Sequence, residues 1–285
     1  MNMLSPGGFK MLPTVVKNLL IINALFFLAT ITMSEGMGID LYDYFSLKYF
    51  GSDLFQPYQL ITYMFMHGGF THLFFNMFAL WMFGSAIENF WGPKRFLFFY
   101  LFAGIGAGLS HYIVYFFEIN PLISSIDHFL LNPNTADLKA IIASHKFMVS
   151  QYYPDIYYEF FKFDEAIKAL NNNPNDALAL QTSVHFLETY RSFYLNLPSV
   201  VGASGSVFGI LLAFGMMFPN MMIYLYFFIP VKAKWFVIGY GLLELYLGVT
   251  GTSDGIAHFA HLGGMLFGFI LIMYWKKRPG NKFFN

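Results

Sequence analysis

Apolar positions in this chain fall into long unbroken runs, separated by two stretches where polar positions gather. A run of roughly 17–25 apolar residues crosses a bilayer as a helix, because each backbone polar group is then satisfied inside its own segment. Six runs approach that length, at 15–33, 70–88, 96–117, 201–219, 235–251 and 256–275. The pattern predicts an all-α polytopic membrane protein with a six-transmembrane-helix bundle. In the first polar stretch, 34–66, Glu35, Asp40, Asp43 and Asp53 interrupt the apolar sequence among many tyrosines, which reads as an interfacial loop rather than a span. In the second, 118–198, helical spacing returns at Leu138, Ile141 and Ile142 and again along "DEAIKALNNNPNDALALQTSVHFLETY". A helical extramembrane insertion between the third and fourth helices is predicted. "DEAIKAL" followed by "NPNDALA" is similar to the junction of a tetratricopeptide repeat, but such architectures need several copies and one is present. The expected organisation is 1–117 (helices one to three with loop one), 118–198 (external insertion), 199–275 (helices four to six) and 276–285 (a basic tail).

Composition supports the membrane reading: 57% of residues are hydrophobic and 11% charged, too apolar for an ordinary soluble domain. A formal net charge of zero gives no sign of a nucleic-acid partner, and none is expected. The distribution of charge sets an orientation. Lys10 and Lys17 precede the first run, Lys94 and Arg95 separate the second and third, Lys232 and Lys234 precede the fifth, and Lys276, Lys277, Arg278 and Lys282 follow the sixth. The opposite loops hold the acids named above, Asp254 and a single Lys48. Positive-inside bias therefore predicts a multi-pass protein of the cell (inner) membrane, with both termini cytoplasmic and the insertion outside. Residues 1–36 lack an A-x-A-like cleavage site and read as a retained first helix. With no cysteine in the chain, disulfides and thiol nucleophiles are excluded.

Polar groups at bilayer depth are expensive and mark function by default. Three clusters stand out. "VVGASGSVFGILLAFGM" places Ser204 between Gly202 and Gly205 at the mouth of the fourth run, with Gly209 one turn on. "AHFAHLGGMLFG" carries His258 and His261, then Gly264 and Gly268. "FMHGGFTHLFFNMF" carries His67, His72 and Asn76, the last two at i, i+4 on one helix face. Small-xxx-small pairs let membrane helices approach closely. If Gly205 and Gly209 pack on Gly264 and Gly268, Ser204 and His261 come together as nucleophile and base. His72 and Asn76 would then donate to an oxyanion beside the Ser204 backbone N–H.

At these residues the sequence resembles the rhomboid family of intramembrane serine proteases. The resemblance rests on "QPYQLITYMFMHGGFTHLFFNMFALWMFG", the "GASG" box, and "AHLGGMLFG" from Ala260 to Gly268 in the pattern A-H-x-x-G-x-x-x-G. It implies a six-helix fold and cleavage of transmembrane protein substrates within the lipid bilayer. Ser204 is then nucleophile, His261 general base, His72 and Asn76 the oxyanion support, Gly202 part of the G-x-S-G box, and Glu88 the acid of the G-x-x-x-E that begins at Gly84. Where the bacterial prototype often has Tyr four residues after the serine, this chain has Phe208, which can still stack on the histidine.

Other readings attach to the same residues. His67, His72, His258 and His261 offer an alternative reading as a metal site, but no H-E-x-x-H or cysteine pattern accompanies them, so neither metal nor cofactor is expected. His258 is the rival base, set aside because His261 directly precedes the glycine pair; His67 reads as a loop hydrogen-bonding residue. Glu244 reads as an isolated intramembrane carboxylate and a candidate ion-coupling residue, which with the histidines is the basis of a transporter reading. No carboxylate has spacing in its favour to orient His261, so a Ser–His dyad positioned by packing is expected. A catalytically silent client-binding relative would lack the serine or the histidine, and both are present.

Overall fold

The computed structural model describes residues 9–225, 228–251 and 256–277. Asp254, Arg278, Lys282 and most of the basic tail lie outside them. Helices occupy all six apolar runs. In chain order they are α1 (Thr14–Met37), α2 (Leu41–Phe45), α3 (Gln59–Thr62), α4 (Phe70–Ala79), α5 (Ser85–Trp91), α6 (Pro93–Leu131), α7 (Thr135–Ser144), α8 (Pro154–Asn172), α9 (Ala177–Asn196), α10 (Ser204–Met217), α11 (Ala233–Thr250) and α12 (His258–Lys276). A π-helical turn, Leu80–Gly84, joins α4 to α5 into one continuous run. Between α10 and α11 lies an antiparallel hairpin in which Met222 pairs with Lys232 and Leu225 with Ile229.

Four of these helical runs are long and apolar enough to cross a membrane: Thr14–Met37, Phe70–Trp91, Pro93–Leu131 and His258–Lys276. Their outward faces carry large apolar side chains such as Leu25, Leu28, Phe74, Phe75, Ile113, Leu266 and Ile270. In water such surfaces would be a liability; in hydrocarbon they meet a matching solvent. The third run was expected to end near residue 117. Its helix instead continues to Leu131 with Pro121 inside it, about twice the length that crosses hydrocarbon.

The chain divides into two compact units within α6. The first, residues 1–47, 56–113 and 199–285, contains the apolar helices. Its centre is α10, which is buried at Gly205 through Leu211 and again at Ala213 to Gly215. A helix apolar on all sides is one surrounded by others. α1 ends on Gly38, whose φ of 66° lets its N–H reach back to the carbonyls of Met33 and Ser34. At its other end Glu88 of α5 accepts the N–H groups of Val15 and Val16 at 2.9 and 2.8 Å. A carboxylate thus serves donors that have no intrahelical partner.

The second unit, residues 48–55 and 114–198, has a core of its own. Leu122, Ile126 and Phe129 of α6 pack with Leu138 and Ile141 of α7, Phe163 of α8 and Phe186 of α9. The Phe163 and Phe186 rings stack at 4.2 Å. Asn134 and Asp176 cap α7 and α9 by accepting from Asp137 N and Ala179 N. Arg191 Nε donates to Asp127 Oδ1 at 2.5 Å.

Candidate active site

Backbone geometry builds the mouth of α10. Gly202 has φ 120°, a conformation L side chains rarely adopt, and donates its N–H to Tyr63 O at 2.9 Å. The Tyr63 hydroxyl donates in turn to Gly104 O at 2.6 Å, and Ser206 Oγ donates to Tyr100 O at 2.7 Å, so the loop and the first turn of α10 are both tied to neighbouring backbone. The helix begins at Ser204. Gly202, Ala203 and residues 205–211 are buried, while Ser204 between them is partly exposed. A hydroxyl at a helix N-terminus sits among backbone N–H groups that lack intrahelical partners.

Glycines govern what surrounds that serine. A Cβ added at Gly202 would fall 2.7 Å from His72 Nε2 and 3.5 Å from Ser204 Oγ, so His72, Ser204 and the Gly202 backbone share one small space. Asn76 lies one turn along α4 from His72, is buried, and donates Nδ2–H to the His72 carbonyl at 2.9 Å. His67 is almost wholly buried and its ring lies 5.0 Å from that of His72. On the other side α10 and α12 meet backbone to backbone. A Cβ at Gly264 would come within 1.9 Å of Gly205 O, one at Gly209 within 3.0 Å of Gly264 O, and one at Gly268 within 3.3 Å of Gly209 Cα. Only paired glycines permit such an approach.

That contact aligns α12 with the serine. The Phe208 ring, one turn after Ser204, lies parallel to the His261 imidazole with centroids 4.2 Å apart and planes at 8°. Phe208 also meets Tyr240 of α11 at 4.9 Å. His261 is 8% exposed and His258 5%.

Glu244 corrects two expectations. It is not isolated, and His261 is not held by packing alone. Glu244 Oε2 contacts His258 Nδ1 at 2.7 Å and His261 Nδ1 at 2.9 Å, and the carboxylate is 4% exposed. Among the described residues these three form the one group of His, Asp and Glu whose ligand atoms lie close enough to hold a metal ion, all within 4.8 Å. The signal was present in sequence: a carboxylate inside a membrane needs donors, and α12 carries two histidines at i, i+3. Which face of α11 meets α12 was not. α11 buries Ala233, Val237 and Glu244 and leaves most of its apolar side chains outward, so its inner stripe is narrow and is set by the partner helix.

The sequence was compared with known proteins. The profile of the rhomboid domain matches residues 54–118 and 177–278, more than half of the 285 residues. This chain belongs to the rhomboid family. The rhomboid match leaves out 119–176, a segment that lies within the second unit. Rhomboid protease GluP of Bacillus subtilis (strain 168) is 41% identical over 56 residues, which is 20% of this chain and 11% of that protein. "Putative rhomboid protease YdcA" of the same organism is 39% identical over 56 residues, 20% of this chain and 28% of that protein. The matched stretch thus spans less than a third of either relative. Family membership agrees with the apolar helices of the first unit: this rhomboid is a multi-pass helical membrane protein.

Proposed function

We propose that this rhomboid is an intramembrane serine endopeptidase that hydrolyses peptide bonds in or near transmembrane segments through a Ser204–His261 pair and an acyl-enzyme. The observation that carries the reading is the stack of Phe208 on His261. It ties the histidine of α12 to the helix whose first residue is Ser204. In the proposed cycle Ser204 Oγ attacks the scissile carbonyl carbon while His261 takes the hydroxyl proton. The resulting oxyanion accepts from the Ser204 backbone N–H and from His72 or Asn76, and His261 then protonates the departing amine. Water attacks the ester, His261 again acts as base, and Ser204 is regenerated.

The site also shapes the substrate. An intact helix hides its carbonyls in intrahelical bonds, so the segment to be cut must unwind locally. The space by Ser204 is bounded by glycine backbone and His72, which favours a small side chain next to the cut. Access would be lateral, between the second and fifth membrane helices, where α11 is weakly buried. The full reading has six spans with both termini cytoplasmic, the Ser204 end of α10 outside, and residues 118–198 as an external insertion. The lipid bilayer and transmembrane proteins are the partners.

The test is cleavage of a fluorescent transmembrane-segment reporter by the purified chain in liposomes. Wild type should cut; Ser204→Ala and His261→Ala should each abolish cutting while keeping the thermal unfolding midpoint. A folded wild type that cleaves no member of a reporter panel, or a Ser204→Ala variant that still cuts, removes the proposal.

A further inference from the structure

The two contacts of Glu244 define a proton arrangement. A carboxylate oxygen only accepts, so Oε2 at 2.7 and 2.9 Å from two ring nitrogens receives an N–H from each. In its neutral form His261 therefore carries its proton on Nδ1, which leaves Nε2 as the acceptor. The same three groups would suit a metal by residue type. Ligand atoms around tetrahedral zinc, with bonds of about 2.0–2.1 Å, stand roughly 3.3 Å apart, wider than either contact observed. Nitrogen–oxygen separations of 2.7 and 2.9 Å are those of charge-assisted hydrogen bonds.

We propose that Glu244 is a positioning residue for the serine chemistry, holding His261 in the tautomer whose Nε2 can take the Ser204 proton and stabilising the imidazolium once it forms. This rests on the Ser204–His261 reading above. The Phe208 stack fixes the plane of the ring, but a stack does not distinguish a ring from its flipped or tautomeric form. The carboxylate does, because only an Nδ1–H can satisfy it. When the proton moves from Ser204 Oγ to His261 Nε2, the cation appears next to a buried anion already in place. His258 supplies the second donor and keeps the buried carboxylate satisfied on both sides of the proton transfer. The device combines a carboxylate from α11 with a base from α12, so the constellation is a triad spread over three helices.

The experiment measures kcat and KM of the full chain in liposomes for wild type, Glu244→Gln and Glu244→Asp, alongside ¹⁵N NMR of the His261 ring. Glu244→Gln should lower kcat by about a hundredfold or more with little change in KM, because an amide can offer a donor to Nδ1 and stabilise the wrong tautomer. Glu244→Asp should recover much of the loss, which a purely structural residue of altered length would not do. In wild type the ring should be protonated at Nδ1 and bare at Nε2. Full kcat in Glu244→Gln, an Nε2–H tautomer in wild type, or activity lost on adding a chelator would each overturn the proposal. The tautomer is read without turnover, so it stands or falls even if a variant does not fold. A wild type that cuts independently of Ser204 would instead sink the protease reading, and the two failures are distinguishable.

Discussion

Phe208 lies flat against His261, 4.2 Å between ring centroids, although the two residues are 53 positions apart on different helices. Ring stacking of this kind contributes about 0.5–1.5 kcal/mol beyond simple burial. If it orients the base, Phe208→Leu should lower kcat roughly two- to tenfold while the protein remains folded. Phe208→Tyr, which keeps the ring, should stay near wild type. Equal activity in Phe208→Leu would show that the carboxylate alone sets the imidazole.

Gly264 and Gly239 make a matched pair for packing. A methyl at Gly264 would sit 1.9 Å from Gly205 O, whereas nothing lies within 4 Å of one at Gly239. Gly264→Ala must separate α10 from α12 and should cost on the order of 1–3 kcal/mol or more of stability, with loss of cleavage if the two helices together form the active site. Gly239→Ala should be neutral or stabilising by up to about 1 kcal/mol through helix propensity. Unfolding midpoints in detergent separate the two.

Glu88 accepts two backbone N–H groups at the start of α1 while buried. Hydrogen bonds to a charged acceptor contribute about 1.5–3 kcal/mol. Glu88→Ala should lower the unfolding midpoint by that order and leave kcat of the surviving folded protein close to wild type. A selective loss of kcat would mean that α1 reports to the catalytic residues.

A pH dependence is expected in the second unit. Burial holds His145 below its ordinary value, and Tyr190, which accepts the Met148 N–H at 3.0 Å, can donate its hydroxyl to the bare His145 Nε2 at 2.9 Å. The folded state favours neutral His145, so below the ordinary value near 6.5 the unfolded chain binds the extra proton. This contribution is complete above that pH and is lost as pH falls through the lowered value. The protection factor of the Met148 amide should therefore fall between pH 7.5 and 5, and His145→Gln should flatten the trend. A wild-type slope retained in His145→Gln would exclude it.

How far the chain can be read without its structure differs from residue to residue. Gly205, Gly209, Gly264 and Gly268 announce close-packed helices by spacing alone, since a four-residue repeat of glycine has little other use in a membrane helix. The third apolar run stops near 117 while its helix continues to Leu131, because polar residues interrupt an apolar run without interrupting an α-helix; Leu122, Ile126 and Phe129 continue as one stripe of the second unit's core.

Sequence by itself determined that the chain is a helical membrane protein, where its long apolar runs lie, and which small and polar residues stand within them. Local hydrogen bonding and the demand for apolar surface in lipid depend on residues near one another in the chain, so they can be read along it. Only the tertiary structure decided that Glu244 meets His258 and His261. Pairing across helices depends on the rotation of each about its axis, and packing of whole faces sets that rotation. A single carboxylate among apolar neighbours carries no record of the face it will be turned towards.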